Sequence, residues 1–395
     1  MNILIITQRW YPDTFGGSEL VAAEQARRLA GRGHQVTVVT ERVRDALPQE
    51  IVENGVRVLR YGSEREFSRL GGASRTDLKK VPKIMREFAN ARVDECTNLR
   101  VCEFTSKGGD NPSTRKLANS QTQKFDVAIL HHPFSAYGFF KAHPNFALQN
   151  LGGRIPTLYV FHASTAREAA WEKTRWPWLT PFFVWWARHV EQVVLRRVDR
   201  LAVFSEFSRR VLLKLAPQAN SKIIKLPVGV NADTFSSPIR ANWRTRPGRS
   251  ARLLTVRRLT KRMGLLELVA AMSIVAQKIS SMHLTIVGEG LLRQDLQNAV
   301  VRWKLEKQVT LAGRVSAEDL PRYYQAADLF VLPSQAYEGL GMATLEALAS
   351  GLPVVGTPVG ATPEILRDLD PTLITAGISA ENLAQGILDY FARPE

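Results

Sequence analysis

The chain has 395 residues, 45% apolar and 23% charged, enough for two to three globular domains, which excludes wholesale disorder and a small disulfide-stapled scaffold. Lys and Arg number 53 against 37 Asp and Glu, a formal charge of +16 that favours an anionic partner without choosing among nucleic acid, lipid and phosphorylated ligands. No run approaches the roughly 20 apolar residues of a membrane-spanning helix, and the two cysteines, Cys96 and Cys102, are expected to be reduced thiols in a cytoplasmic protein.

In chain order, the apolar run over 3–7 reads as a buried first strand rather than a signal peptide, because no basic segment precedes it and Gln8-Arg9 ends it. A helix is predicted over 18–30 and a strand over 35–40. The polar, basic stretch 62–124 interrupts the alternation; it is too long for a structureless loop, so a helix is expected over 78–92. Strands resume over 127–130, 157–161, 200–204 and 222–226. Residues 236–250, rich in Ser, Pro, Arg and Gly, read as a linker. The pattern then restarts, with strands over 252–256, 283–287, 309–312, 329–332 and 353–356, and helices over 265–277, 291–301 and 342–349. Strand–helix alternation with β-branched strands predicts parallel sheets covered on both faces. The expected architecture is α/β: a doubly wound, Rossmann-like domain over 1–238 carrying the 62–124 insertion, a linker at 239–250, and a second such domain over 251–395. Two of these domains facing each other leave a cleft at the carboxyl ends of their strands, where open α/β sheets bind ligands.

Five loops between a strand and a helix carry candidate chemistry. Tyr11-Pro12 to Gly16-Gly17 brings two glycines to the start of a helix, where backbone N–H groups attract anions; Ser18 as an ordinary cap is the plainer reading. Arg257-Arg258-Leu259-Thr260-Lys261-Arg262-Met263 closes a stretch, 240–262, with nine basic residues and no acidic one, which suits a diphosphate or, more plainly, a solvated face. Gly288-Glu289-Gly290 is a glycine pair of the kind that tight strand–helix turns use anyway, so it is weak evidence for a nucleotide. In Pro333 to Ala347, Glu338 lies in a glycine-flanked loop and Glu346 one turn into the next helix. Were the whole span helical they would stand about 12 Å apart, far enough to hold two ends of one ligand rather than share a proton. Glu364, after Gly360, falls in the first turn of its helix, where the dipole favours an acid.

Together these motifs resemble the retaining, nucleotide-sugar-dependent glycosyltransferases of the GT-B fold, family 4, group 1, over almost the whole chain. Tyr11-Pro12 with Gly16-Gly17 is similar to that family's opening loop, the segment from Lys222 to Asn231 to the close of its N-terminal domain, and Glu338 with Glu346 to its spaced glutamates. The resemblance implies that the C-terminal domain holds the donor. Glu338 would then contact the donor sugar, Glu346 the ribose, and Arg258 the diphosphate. Gly16 and Gly17 would approach the same phosphates, and His162 would stand near the reacting centre. Gly288, Gly290, Gly339, Leu340 and Gly341 would line the donor site. Three departures stand out: Arg257 where glycine is usual, Met263 where a phosphate-binding lysine is usual, so that Lys261 or Arg262 is expected to substitute, and Val228 within the usual Pro-Asn-Gly. The chain also stops at Glu395, short of the family's usual terminal helices.

The expected function is therefore transfer of a sugar from a nucleoside diphosphate sugar to a hydroxyl of a glycan or glycolipid. No cofactor, metal or nucleic-acid partner is expected. A nucleotide-sugar 2-epimerase and a nucleotide-sugar-binding protein without turnover are the alternatives. Five tryptophans (Trp171, Trp176, Trp178, Trp185 and Trp186) with neighbouring basic residues fit an anionic membrane surface, an acceptor sugar, or plain core packing. The first of these would place the protein in the cytoplasm, peripheral to the membrane.

Overall fold

A computed structural model describes residues 1–12, 17–41, 43, 46–61, 125–142, 155–171, 178, 180–236 and 251–393. Cys96, Cys102, Gly16, Trp176, the insertion and the expected linker lie outside the described residues. The chain divides into two compact units: 1–166, 185–203 and 212–224 form the first, and 167–184, 204–211 and 225–395 the second.

The first unit is built on an eight-stranded sheet. In chain order its elements are β1 (Asn2–Ile6), α1 (Gly17–Gly31), β2 (Gln35–Glu41), β3 (Glu50–Glu53), β4 (Val56–Tyr61), β5 (Val127–Leu130), α2 (Pro133–Ala142), β6 (Thr157–Val160), α3 (Thr165–Trp171), α4 (Thr180–Arg197), β7 (Arg200–Val203), α5 (Glu206–Leu215) and β8 (Ile223–Lys225); α3, α4 and α5 each extend into the second unit. The sheet order is β3-β4-β2-β1-β5-β6-β7-β8. Ile3, Leu4 and Ile5 of β1 are all buried, as both-faced coverage of a parallel sheet requires. β1 pairs with β2 on one side and β5 on the other, so the winding reverses at its carboxyl end. One departure from the expected pattern is the antiparallel pair β3–β4. Its turn, Asn54-Gly55, has positive φ at both residues (51° and 76°), the geometry that twists two strands into a tight hairpin.

The second unit carries a five-stranded, wholly parallel sheet, β11-β10-β9-β12-β13. Its elements are α6 (Ala232–Phe235), β9 (Arg252–Val256), α7 (Leu265–Lys278), β10 (His283–Val287), α8 (Arg293–Arg302), β11 (Val309–Gly313), α9 (Leu320–Ala326), β12 (Leu329–Leu332), α10 (Met342–Ala349), β13 (Val354–Gly356), α11 (Thr362–Leu366) and α12 (Ala380–Ala392). Every residue of β12 is buried, as are Leu253 and Leu254 of β9, and each such side chain contributes roughly 1.5–3 kcal/mol of burial. β9 lies between β10 and β12, so this sheet too reverses direction at one strand. The loops after β9, β10 and β12 therefore converge on one edge.

Candidate active site

Glu338 stands at that edge. Its carboxylate is buried and receives Ser334 Oγ at 2.6 Å on Oε2. The same oxygen accepts Nη2 of Arg257, which leaves the end of β9, while Arg257 Nη1 donates to Ser334 Oγ at 2.9 Å. Burial would raise the Glu338 carboxyl, but the Arg257 charge and these hydrogen bonds outweigh it and hold the group below the usual range. The loop is pinned from behind as well. Ala361 N donates to the Glu338 carbonyl at 2.9 Å, and Gly360, at φ 65°, lies so close that a Cβ there would meet that carbonyl oxygen at 2.0 Å.

Glu346 lies in α10, also buried, and accepts the Tyr324 hydroxyl at 2.7 Å. Burial raises its carboxyl, and the tyrosine bond offsets only part of that. Between the two glutamates, Gly339, Leu340 and Gly341 are half-buried, and Gly341 takes φ 79° immediately before α10. The Gly339 carbonyl accepts Ser205 Oγ at 2.6 Å and Ser208 Oγ at 3.2 Å, all within the second unit. Gly288 backs onto the loop after β9: its φ is 140°, and a Cβ would strike the Arg257 carbonyl oxygen at 1.8 Å. Gly290 is packed the same way against Leu259.

The basic loop divides into two kinds of residue. Arg258 and Lys261 are exposed, free of the packing that holds their neighbours. Arg262 is buried; it pairs with Glu168 and reaches the Tyr337 carbonyl at 3.4 Å, both within the second unit. Glu364, expected to favour its own helix, instead accepts the N–H groups of Glu206 at 2.8 Å and Phe207 at 2.6 Å, which open α5.

In the first unit, Gly17 opens α1, and His162 follows β6. His131, at the end of β5, was not expected to matter, yet its Nδ1 lies 3.0 Å from His162 Nε2, and its Nε2 lies 2.8 Å from Gln25 Oε1. The two strand ends place these histidines side by side, rings stacked at 5.3 Å. Burial, with the neighbouring His162 charge, holds His131 well below its ordinary value, and burial lowers His162 to about 4. The unfolded histidines titrate near 6.5 and bind protons more readily than the folded pair, so stability present above that pH is lost as pH falls toward about 4. The urea midpoint is expected to drop between pH 7 and pH 4.5, and to drop less in a His131→Asn, His162→Asn variant. Equal slopes would assign the acid sensitivity to other groups.

Of the aromatic stretch, Trp178 is 61% and Trp185 60% exposed, with Phe182 at 43%, while Trp171 and Trp186 are half-buried. Core packing therefore accounts for neither Trp178 nor Trp185. Among the described residues, no helix is long and apolar enough to cross a membrane, and no group of three or more His, Cys, Asp or Glu is placed to hold a metal ion.

Residues 16–229 match the glycosyl transferase 4-like domain, and residues 250–393 match the glycosyl transferases group 1 model. The chain belongs to the group 1, family 4 glycosyltransferases. The GDP-mannose-dependent alpha-(1-6)-phosphatidylinositol monomannoside mannosyltransferase of Mycobacterium tuberculosis is 28% identical over 220 residues, 52% of this chain and 57% of that relative. Mannosylfructose-phosphate synthase of Agrobacterium fabrum is 27% identical over 361 residues, 87% of this chain and 71% of that protein. The chain spans a little over half the length of the mycobacterial mannosyltransferases it matches, 57% and 58%. In fold it is similar to sucrose-phosphate synthase from Thermosynechococcus elongatus (TM-score 0.68, 20% identity, 100% of this chain and 90% of that one). It is also similar to WaaG, a glycosyltransferase involved in lipopolysaccharide biosynthesis (TM-score 0.63, 16% identity, 99% and 90%). Two Rossmann-like α/β sheets in one chain are the GT-B fold of this family.

Proposed function

We propose that this glycosyltransferase moves a sugar from a nucleoside diphosphate sugar to a hydroxyl acceptor, keeping the anomeric configuration. The observation that carries the reading is the buried Glu338 carboxyl, held on one oxygen by Arg257 and Ser334 beside a glycine-lined helix start. In this reading Glu338 meets the donor sugar and Glu346 the ribose. Exposed Arg258, with Lys261 beside it, neutralises the diphosphate, and the helix N-terminus after Gly341 adds its dipole. Gly288 and Gly290 keep the neighbouring loop close. The C1–O bond to the diphosphate breaks on the face where the acceptor oxygen attacks, and the acceptor proton passes to the departing phosphate. Positive side chains do this work without a metal ion.

The acceptor we favour is a lipid-linked glycan, reached from the cytoplasmic face of the membrane. A relative that acts on a phosphatidylinositol monomannoside supports it, as does the exposed Phe182 and Trp185 face of α4 beside Arg188. Tm in a panel of UDP-, GDP- and ADP-sugars tests the donor, since a ligand at 100 times its Kd adds about 2.7 kcal/mol. The binding sugar should then be transferred to a lipid-linked glycan with its anomeric configuration unchanged by NMR. A panel with no shift and no turnover would remove the activity. For the membrane, sedimentation with anionic vesicles should weaken as salt rises and fall further in a Phe182→Ala, Trp185→Ala variant. Equal recovery in the supernatant with neutral and anionic vesicles would leave these aromatics without a lipid role.

A further inference from the structure

Arg257 and Met263 stand six residues apart on the loop that leaves β9, and their side chains meet: Arg257 Nη2 lies 2.8 Å from Met263 Sδ. That same nitrogen donates to Glu338 Oε2. Arg257, Met263, Ser334 and Glu338 are all buried. Every polar contact described for the carboxylate falls on Oε2, whereas Oε1 lies toward Gly341, 3.5 Å from where a Cβ on that glycine would sit. Arg257 and Arg262 are the charged groups that face Glu338 among the described residues, and Arg262 is engaged by Glu168.

We propose that Arg257 is the positioning residue of this site, fixing Glu338 as a carboxylate with Oε2 held and Oε1 presented, and that the charge it supplies belongs to a place in the fold rather than to position 257. The place is the point where side chains 257 and 263 converge. A lysine at 263 carries its Cδ where Sδ now lies and its ammonium two bonds further, into the space that Arg257→Met would vacate. A guanidinium at 257 and an ammonium at 263 are therefore alternative sources of one cation, and having both would crowd two like charges into a buried site. This deepens the glycosyl-transfer reading and rests on it only for the activity measurement.

The experiment is a charge swap in the full chain: the parent, Arg257→Met, Met263→Lys and the double variant. Arg257→Met is expected to lower Tm by on the order of 10 °C, because it strands a buried carboxylate. It should also lower kcat roughly 10²-fold and move the acid limb of kcat to higher pH, since burial then acts on Glu338 with only the Ser334 hydrogen bond and the more distant Arg262 charge opposing it. Met263→Lys alone should lower Tm as well. The double variant should recover more than half of the Tm lost in Arg257→Met and return the acid limb to its parental position. A double variant no more stable than the worse single variant overturns the proposal, as does an Arg257→Met protein with parental kcat and acid limb. If Arg257→Met does not fold, Arg257→Lys takes its place: it should keep the parental acid limb with a lower kcat, and a shifted limb overturns the proposal. A parent without turnover of any nucleotide sugar removes the activity reading, and Tm alone then decides the swap.

Discussion

Glu338→Gln is expected to lower transfer by at least about 10³-fold, which is roughly 4 kcal/mol of barrier, in a protein that still folds. The substitution keeps shape and one acceptor oxygen for Ser334, and removes the charge that would face the donor sugar. It also leaves Arg257 without its counter-ion in a site where both partners are buried, so a lower Tm should accompany the lost activity. An Arg257→Met, Glu338→Gln double variant separates the two effects. Relieved of the unpaired cation, it should regain stability while transfer stays lost. Circular dichroism, thermal melts and a product assay on the three proteins are the measurements. Turnover near the parental rate in Glu338→Gln would take this carboxylate out of the reaction.

Arg258→Ala is expected to cost on the order of 10²–10³ in kcat/KM for the nucleotide sugar, with stability changed by no more than about 0.5 kcal/mol. The contrast follows from its exposure at the end of β9, directly after a residue that is buried and paired. Lys261→Ala, also exposed, should weaken donor binding more mildly. Arg262→Ala should act the other way round. It strands Glu168 and empties the contact to the Tyr337 carbonyl, so the loss should appear in the melt before it appears in donor affinity. Donor titration and thermal melts on the three variants decide it. If donor affinity is untouched in all three, the loop is a solvated basic face.

The strands were legible because burial on both sheet faces leaves continuous apolar runs: 127–130 and 329–332 were expected strands and are β5 and β12. The hairpin β3–β4 carried a local signal, Asn54-Gly55 between two short apolar segments, that the strand–helix alternation overshadowed. Glu338 and Glu346 were legible as a spacing, but their partners were not. Arg257 meets Glu338 across 81 residues, and Tyr324 meets Glu346 across 22, so no local pattern couples them. Resemblance directed attention to Arg258, and only the fold distinguishes it from its neighbour: the chain leaving β9 turns Arg257 inward, Arg258 outward and Leu259 inward. His131 had the signal that His162 had, a histidine closing a buried strand, and the structure adds the contact between them.

The loop that carries Glu338 is held chiefly through main-chain atoms. The Ala361 N–H holds the Glu338 carbonyl, the Arg262 carbonyl accepts Gln335 N at 2.8 Å, and the Gly339 carbonyl takes two serine hydroxyls. Such anchors are indifferent to the side chains displayed between them. Ala336 and Leu340, both half-buried and each two residues from Glu338 in sequence, can therefore be randomised without resetting its position, whereas Gly360, packed against the Glu338 carbonyl, cannot. For directed evolution of donor choice, this separates a small variable surface from the frame that carries it, and a library confined to those two positions should retain folded protein in most of its members.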